Sequence, residues 1–319
     1  MNEPLNDPLV TIAIPTYNQK NCIAEAIESA LEQTYSNLEI IIADDFSSES
    51  IYEIVKEYEL DKRIRYYKNE KNLGRTKNYR KCLYEYATGE WYLNLDGDDI
   101  LTDKNFIAEA MKFVSANKNI VLATAACLRV VNGQVDYKIT SQYPEDICTV
   151  KGKDFFLDIP SQKAWLSHLT TLYNREKALS LNFYEDDILS SDYASLFKLI
   201  LTGDVLVFKK VACIWRIHDK NESSQIFAKP QIIIDNFKYV ESAAKFAKPF
   251  IEEKELKKWK TKILKDQILA VALRFILNKP GKYLQFATLL FLKYPVIVLQ
   301  TQFKIIKRVF NKILKQIRP

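Results

Sequence analysis

Residues 90–99 read EWYLNLDGDD, an apolar segment that ends in a turn carrying three aspartates. The short apolar run is typical of a buried strand, and Gly97 permits the bend that follows it. Carboxylates gathered on one turn repel each other unless a positive charge lies among them, and a hard divalent cation with oxygen ligands supplies it best. The turn therefore indicates a metal site. Capping of the next helix, which also favours acidic side chains, is the alternative.

The chain before this turn alternates short apolar runs with helical patterns. Three further strands are predicted at 9–14 (LVTIAI), 38–43 (LEIIIA) and 64–67, and three helices at 23–31, 51–58 and 74–87. Such alternation with short connections indicates an α/β fold with a mostly parallel sheet.

Polar motifs follow three of the four strands. PTYN at 15–18 comes after the first strand, Asp44 and Asp45 after the second, and residues 96–99, the aspartate turn, after the fourth. In open α/β sheets, ligands bind outside the carboxyl ends of the strands. We therefore expect these three motifs to meet at one edge of the sheet.

The pattern after the aspartate turn is less regular. It predicts a helix at 103–116, a long strand at 120–131, an irregular segment to about 189, a helix at 192–201 and a strand pair within 205–217. From about residue 230 the chain is helical throughout, so a domain boundary is expected near 220–230.

Composition restricts the class of protein. With 319 residues, of which 48% are hydrophobic and 27% charged, the chain can form an ordinary globular core. The five cysteines form no C-x-x-C pair, and His168 and His218 stand apart, which argues against zinc. Residues 1–9 are polar and lack the apolar core of a secretory signal, so a cytosolic location is expected.

Four motifs together resemble a known family. PTYN at 15–18, DDFS at 44–47, Asn72-Leu73-Gly74 opening a helix, and ATGEWYLNLDGDD at 87–99 are similar in order and spacing to the catalytic domain of family-2 glycosyltransferases. The resemblance covers the first third of the chain. It implies the GT-A fold of nucleotide-diphospho-sugar transferases, an α/β fold whose mixed, Rossmann-like sheet is flanked by helices, here with a helical C-terminal extension.

The resemblance also implies how the aspartate turn works. In the family, a D-x-D element binds the ribose and a Mn²⁺ or Mg²⁺ ion that bridges the diphosphate of the sugar donor. By position, Asp96 is assigned to the ribose and Asp98 to the metal, with Asp99 as a second ligand or a support.

Further residues are assigned to the donor by the same resemblance. These are Asp45 for the nucleobase, Pro15 and Tyr17 for the base pocket, and Lys77 and Asn78 for the phosphates or ribose. Simple packing for Tyr17 and a solvated helix face for Lys77 are the alternatives. Phe46 stands where the family usually has Gly or Asn, and this difference leaves the nucleotide open.

The catalytic base is expected in the second half of the chain. Residues 190–193 (SSDY), followed by a helix, resemble the E-D-Y-like element that supplies the base in the family, although Ser191 replaces the usual acid. Asp192 is therefore the candidate, and Asp186 and Asp187 are reserves. Capping of the helix is the structural alternative for Asp192.

A second feature of this half is His218, which follows Arg216 by two residues. Many relatives carry an R-x-H element near the donor phosphates at this position, and a purely structural histidine is the alternative.

A single displacement with one base predicts inversion at the anomeric carbon. The chain lacks the Q-x-x-R-W motif of processive synthases, so we expect one sugar to be added per reaction.

The resemblance leads to one functional hypothesis. It describes an inverting, metal-dependent glycosyltransferase that uses a UDP-sugar by preference and acts on a glycan or lipid-linked acceptor in bacterial surface polysaccharide or lipopolysaccharide synthesis. Residues 1–225 form the catalytic domain, with about 1–115 for the nucleotide sugar and about 116–225 for the acceptor. An inactive sugar-nucleotide-binding module is the alternative. A dinucleotide-binding protein would need G-x-G-x-x-G where this chain has PTYN.

The C-terminal region, residues 226–319, is helical and basic. From Lys254 to Pro319 there are 16 basic and two acidic residues. The apolar run at 283–299 is shorter than the ~20 residues that span a bilayer, whereas 299–317 predicts a basic amphipathic helix. We expect peripheral contact with the anionic inner face of the cell membrane, with packing on the body or a second subunit as the alternative. The basic tail is the one feature that favours a nucleic-acid partner, and such a partner would not use the aspartate turn. No nucleic-acid partner is therefore expected.

Overall fold

The computed structural model describes residues 7–218, 221, 229–301 and 304. The chain divides into two compact units. One comprises Met1–Asp187 and Ser191–His218, and the other comprises Ile188–Ser190 and Asp219–Pro319. In their described parts, the first unit contains the sheet and the second is helical.

Ten strands and seven α-helices form the described part of the first unit. The strands are β1 Val10–Thr16, β2 Leu38–Asp44, β3 Ile64–Lys68, β4 Trp91–Asn94, β5 Ile100–Leu101, β6 Ile120–Val131, β7 Gln134–Ile139, β8 Ile147–Lys151, β9 Thr171–Asn174 and β10 Asp204–Ile217. The helices are α1 Ile23–Leu31, α2 Tyr52–Lys56, α3 Arg75–Lys81, α4 Phe106–Ala116, α5 Gly152–Asp158, α6 Arg175–Ser180 and α7 Ser191–Leu199.

The strands form one mixed sheet in the order β3-β2-β1-β4-β9-β6-β10-β5, with β7 beside β6 and β8 beside β10. Strands β3, β2, β1 and β4 are parallel, as the alternating pattern predicted. Every residue of β1, β2 and β4 is buried, which explains their continuous apolar runs. Antiparallel β9 then separates β4 from β6. The predicted α/β fold with a mixed sheet is confirmed.

A buried carboxylate fixes the start of β4 against β1 and β2. Glu39 of β2 accepts hydrogen bonds from the Thr11 hydroxyl at 2.5 Å, the Thr88 amide at 2.6 Å and the Gly89 amide at 3.0 Å. Burial acts to raise the pKa of Glu39, but these hydrogen bonds lower it below its usual value. A Cβ at Gly89 would lie 2.6 Å from the Thr11 hydroxyl oxygen, so only glycine fits there.

Two local predictions were wrong, and a third was right apart from the type of helix at its end. The segment 205–217 is the single strand β10 and not a strand pair, because its register against β6 shifts between Val207 and Val211 while its direction stays the same. The helix predicted at 74–87 is present, as α3 followed directly by one π-helical turn at Cys82–Tyr86. The segment expected to be irregular contains β7, β8, β9, α5 and α6, whose patterns are too short to detect by period alone.

The second unit is built from helices in its described part. These are α8 Pro230–Asn236, α9 Lys238–Ala247, α10 Glu253–Asn278 and α11 Pro280–Lys293. Phe275 of α10 meets Phe286 of α11 with 4.9 Å between ring centroids. The helical extension is thus confirmed, whereas most of the amphipathic helix predicted at 299–317 lies outside the described residues. No helix in the described ranges combines the length and apolarity needed to cross a membrane.

Candidate active site

The aspartate turn lies directly against the end of β1. The Gly97 amide donates to the Pro15 carbonyl at 3.2 Å, and the Asp99 amide closes the turn on the Asp96 carbonyl at 2.9 Å. A Cβ at position 97 would lie 2.9 Å from the hydroxyl oxygen and 3.0 Å from the Cβ of Thr16 in β1, so the close approach favours glycine. The expected meeting of the first and fourth strand ends is therefore present.

The end of β10 covers the other side of the turn. His218 Nε2 lies 3.0 Å from Asp98 Oδ2, and the Arg216 amide donates to Asp99 Oδ1 at 2.7 Å. The Arg216 guanidinium donates to the Asp98 carbonyl and forms an ion pair with Glu25 at 2.8 Å. Two carboxylates of the turn are thus held by Arg216 and His218, which lie two positions apart at one strand end.

Asp98 and Asp99 are buried and incompletely neutralised. Burial, followed by the negative charge of Asp96, raises the pKa of Asp98 despite its contact with His218. Burial, followed by the charges of Asp98 and Asp96, raises the pKa of Asp99 well above its usual value. An additional positive charge would stabilise both ionised carboxylates.

The donor set of these two residues fits a hard cation. Among the residues that the structure describes, no group of three or more His, Cys, Asp or Glu side chains is arranged to hold a metal ion. Mg²⁺ in nucleotide enzymes is typically held by one or two carboxylates together with substrate phosphates. Asp98 and Asp99 match such an incomplete set, in which phosphate oxygens supply the remaining ligands.

Asp96 belongs to a different network, which sequence reasoning missed. His168, in the 3₁₀ turn before β9, lies between two carboxylates: its Nε2 is 3.1 Å from Asp96 Oδ2 and its Nδ1 is 3.1 Å from Asp192 Oδ2. The Tyr79 hydroxyl donates to Asp96 Oδ1, and the Asn94 amide lies 3.2 Å from the same oxygen. The aspartate turn and the first turn of α7 are therefore connected through one imidazole.

The charges in this network support one another. Burial acts to lower the pKa of His168, but the carboxylates of Asp96 and Asp192 raise it to about 10, so the ring is an imidazolium at neutral pH. Burial acts to raise the pKa of the Asp96 and Asp192 carboxylates, but their contact with His168 lowers the pKa of each below its usual value.

Asp45, at the end of β2, organises the loop before α3. Its Oδ1 accepts from the Leu73 amide at 2.8 Å and its Oδ2 from the Gly74 amide at 2.9 Å. The Asn69 side chain donates to Asp45 Oδ1 at 2.9 Å and to Asn78 Oδ1 at the same distance. The side-chain nitrogen of Asn78 in turn donates to the Ala43 carbonyl at 3.0 Å. Asp45 and Asn78 therefore both have structural partners inside the protein.

Two aromatic side chains are exposed at the ends of β1 and β2. Tyr17 and Phe46 are each 49% exposed, and Phe46 adopts a positive φ of 65°, which is uncommon for a bulky residue. Pro15 is buried in β1, and Lys77 is exposed on α3. Of the reserve base candidates, Asp187 is exposed and Asp186 half-buried, whereas Asp192 is buried against His168.

Comparison with known proteins identifies the family. Residues 11–178, just over half of the chain, match the sequence profile of glycosyl transferase family 2. The chain belongs to this family. The glycosyltransferase class predicted from the four motifs is thereby confirmed.

Family 2 relatives align over part of their length. A glycosyltransferase of uncharacterised function from Rickettsia felis is 40% identical over 121 residues, which cover 38% of this chain and 20% of that protein. WfgD of Escherichia coli, a UDP-Glc:alpha-D-GlcNAc-diphosphoundecaprenol beta-1,3-glucosyltransferase, is 38% identical over 96 residues, covering 30% of this chain and 37% of WfgD. The chain thus spans well under half of these relatives.

Solved structures of similar fold cover most of the chain. TarS residues 1–349 from S. aureus, in complex with UDP-GlcNAc, aligns with a TM-score of 0.71 and 20% identity over 88% of this chain and 79% of TarS. The mannosyltransferase PcManGT from Pyrobaculum calidifontis, in complex with GDP-Man and Mn²⁺, aligns with a TM-score of 0.58 and 18% identity over 94% of this chain and 85% of PcManGT. These likenesses confirm the GT-A fold of the family 2 chain.

The partners of Asp45 lead to a stability prediction. Asp45→Ala removes the acceptor for the Leu73 and Gly74 amides, and we expect the free energy of unfolding to fall by about 1–3 kcal/mol. Urea denaturation measures this change. The exposed Glu70→Ala variant in the same loop is the control and should unfold like the wild type. Equal stability of the Asp45→Ala protein would contradict the role of Asp45 in holding the loop before α3.

Proposed function

We propose that this family 2 chain is an inverting, metal-dependent glycosyltransferase that moves one sugar from a nucleotide-diphosphate donor to an acceptor hydroxyl. The position of Asp192 supports the proposal most directly. Its carboxylate and that of Asp96 in the aspartate turn contact the same imidazole. A candidate base for the acceptor therefore lies beside the motif that resembles a donor site.

The donor is assigned to the carboxyl ends of β1, β2 and β4. The roles are Asp45 for the nucleobase, Pro15 and Tyr17 for the base pocket, Asp96 for the ribose, and Lys77, Asn78 and His218 for the phosphates or ribose. A UDP-sugar is favoured, because WfgD is named for UDP-Glc and the TarS structure holds UDP-GlcNAc. Both exposed aromatic rings, Tyr17 and Phe46, offer a face on which a nucleobase can stack.

Asp98 and Asp99 are proposed to hold Mn²⁺ or Mg²⁺ together with the donor diphosphate. The raised pKa of each carboxylate and the oxygen-only donor set support this assignment. The PcManGT structure, which has a similar fold, contains Mn²⁺. Such a cation offsets the negative charge that develops on the departing diphosphate.

Asp192 is proposed to act on the acceptor. Its carboxylate takes the proton of the acceptor hydroxyl while the hydroxyl oxygen bonds to the anomeric carbon, and the bond from that carbon to the diphosphate oxygen breaks. Attack on the face opposite the leaving group inverts the configuration. General-base assistance of this kind contributes about 10²–10⁴ in rate.

The acceptor is proposed to be a glycan or a lipid-linked sugar used in bacterial surface polysaccharide synthesis, because WfgD acts on a diphosphoundecaprenol-linked GlcNAc. Residues 1–225 would form the catalytic part, with about 1–115 binding the donor and about 116–225 the acceptor. Residues 226–319 would bring the enzyme to the cytoplasmic face of the cell membrane.

The second unit has surface features that suit an anionic membrane. Leu284 and Leu292 of α11 are 75% and 76% exposed, and Phe291, Val296 and Leu299 are also exposed. From Lys279 to Pro319 the sequence has nine basic residues and no acidic ones. Exposed apolar side chains combined with positive charge favour peripheral binding to anionic lipid.

Substitution of the proposed base tests the mechanism. We expect Asp192→Asn to lower kcat by about 10²–10⁴, because the amide cannot accept the proton. UDP-glucose, UDP-GlcNAc and GDP-mannose are incubated with a GlcNAc-diphospho-lipid acceptor, nucleotide release is followed, and the anomeric configuration of the product is determined by NMR.

The exposed Asp187→Asn variant is the matched control and should turn over like the wild type. Near-normal transfer by a folded Asp192→Asn protein would overturn the base assignment. Retention of the donor's anomeric configuration would overturn inversion. Tight donor binding by the wild-type protein without turnover of any donor would indicate an inactive binding module.

Metal removal tests the second part of the proposal. Turnover should be lost after treatment with EDTA and return with Mn²⁺ or Mg²⁺, because two buried carboxylates need a cation to accept the donor diphosphate. Asp98→Asn should weaken metal-dependent binding of UDP, measured by calorimetry, by about tenfold or more. Full turnover in EDTA by protein shown to be metal-free would exclude the metal role.

Membrane contact is tested with vesicles. The double variant Leu284→Glu, Leu292→Glu should bind phosphatidylglycerol vesicles at least about tenfold more weakly in a flotation assay, because it removes apolar contact and adds negative charge. Leu60→Glu makes the same change at a residue that is 96% exposed in the first unit and should have no effect. Unchanged flotation of the double variant would contradict membrane binding through α11.

A further inference from the structure

His168 occupies a position that the proposed reaction does not itself explain. Its ring spans two carboxylates with matched distances of 3.1 Å, one to Asp96 in the aspartate turn and one to Asp192 in α7. The side chain is only 20% exposed. Asp96 and Asp192 are ninety-six positions apart in the sequence, so the ring joins two distant parts of the chain.

The hydrogen bonds require both ring nitrogens to donate. An ionised carboxylate only accepts hydrogen bonds, and a neutral imidazole has a single N–H, whereas the imidazolium has two. The bridge is therefore a charged ring between two anions, which is the arrangement that satisfies all three buried groups. A neutral imidazole at position 168 could donate to only one of the two carboxylates.

His168 is one of several groups that act on the Asp192 carboxylate. The His168 ring and the Tyr193 backbone amide both donate to it, and the charge of Arg75 from α3 lies close enough to favour its ionised form. Tyr184, from the segment before α7, is a neutral neighbour whose hydroxyl lies 3.5 Å from that of Tyr173. The contact with His168 therefore links the Asp192 carboxylate to Asp96 and helps to fix where Asp192 Oδ2 points.

We infer that His168 is a positioning residue that holds the proposed base Asp192 in a fixed position relative to Asp96, the aspartate proposed to bind the ribose. The acceptor side and the donor side of the site are thereby held by one ring. This inference rests on the roles given above to Asp96 and Asp192. Because the ring contacts each carboxylate through a different nitrogen, its two effects are separable. The Nδ1 contact governs the base, and the Nε2 contact governs the donor side.

Two isosteric variants separate these contacts. The amide nitrogen of asparagine is three bonds from Cα, at the place of Nδ1, whereas that of glutamine extends one bond further, to the place of Nε2. His168→Gln therefore keeps a donor for Asp96 and loses the one for Asp192. His168→Asn keeps the donor for Asp192 and loses the one for Asp96.

The expected kinetics differ between the two variants. His168→Gln should lower kcat by about 10- to 100-fold with the donor KM within about threefold of wild type, because a misplaced base affects only the chemical step. His168→Asn should raise the donor KM by about tenfold with a smaller change in kcat. The assay uses the donor that turns over in the panel above, and thermal unfolding is measured for both proteins.

A merely structural histidine would give a different result. If both variants show the same decrease in kcat, the same increase in donor KM and the same decrease in thermal stability, the positioning role is overturned. If Asp192→Asn is inactive while His168→Gln keeps wild-type kcat, the positioning inference fails and the proposed function stands. If Asp192→Asn retains normal transfer, the base assignment itself fails.

A spectroscopic measurement tests the bridge without substrate. The chain has only two histidines, so ¹⁵N-histidine labelling gives two ring systems, which are distinguished with the His218→Gln variant. At pH 8 an ordinary histidine, with a pKa of about 6.5, is neutral. We expect His168 to show the two protonated nitrogens of an imidazolium. A neutral ring at this pH would overturn the bridge, whether or not the variants fold.

Discussion

Repulsion among the carboxylates of the aspartate turn is the constraint to which the surrounding structure responds. Each aspartate has its own partner from the second half of the sheet. Asp96 contacts His168 before β9, Asp98 contacts His218 after β10, and Asp99 accepts from the Arg216 amide. The turn is formed by the first half of the chain, but its charges are held by groups that come much later in the sequence. Insertion of antiparallel β9 beside β4 brings the first of these partners into place.

The neutralisation is uneven, and this unevenness separates the roles of the three aspartates. Contact with a charged imidazole lowers the pKa of Asp96, whereas burial and mutual repulsion raise those of Asp98 and Asp99. Asp96 is therefore stable as an anion without help from outside the protein. Asp98 and Asp99 gain most from a further positive charge, which supports their assignment to a cation and leaves Asp96 to hydrogen bonding.

The sequence predicts the first half of the sheet well, because parallel strands buried on both faces have continuous apolar runs. The segments LVTIAI, LEIIIA and EWYLNL coincide with β1, β2 and β4 within one residue or two. Because these runs end sharply, the polar residues that follow them mark the strand ends, and the aspartate turn and Asp45 are located in this way. The later strands are short or irregular, and β10 contains register shifts that interrupt its pattern. Local periodicity therefore does not reveal that it is one strand.

The bridge through His168 is beyond local sequence reasoning for a physical reason. An isolated histidine in an irregular segment is usually structural, and its two partners lie 72 positions before and 24 positions after it. The chain has two histidines, and both contact the aspartate turn, yet they differ in exposure. His168 is 20% exposed and contacts Asp96 and Asp192, and His218 is 36% exposed and contacts Asp98, a proposed cation ligand. If Asp98 holds a cation as proposed, His218 is the histidine that must make room for it, because it contacts the same carboxylate. His168 contacts Asp96 and Asp192, neither of which is a proposed metal ligand, so its position suits a fixed link between the two.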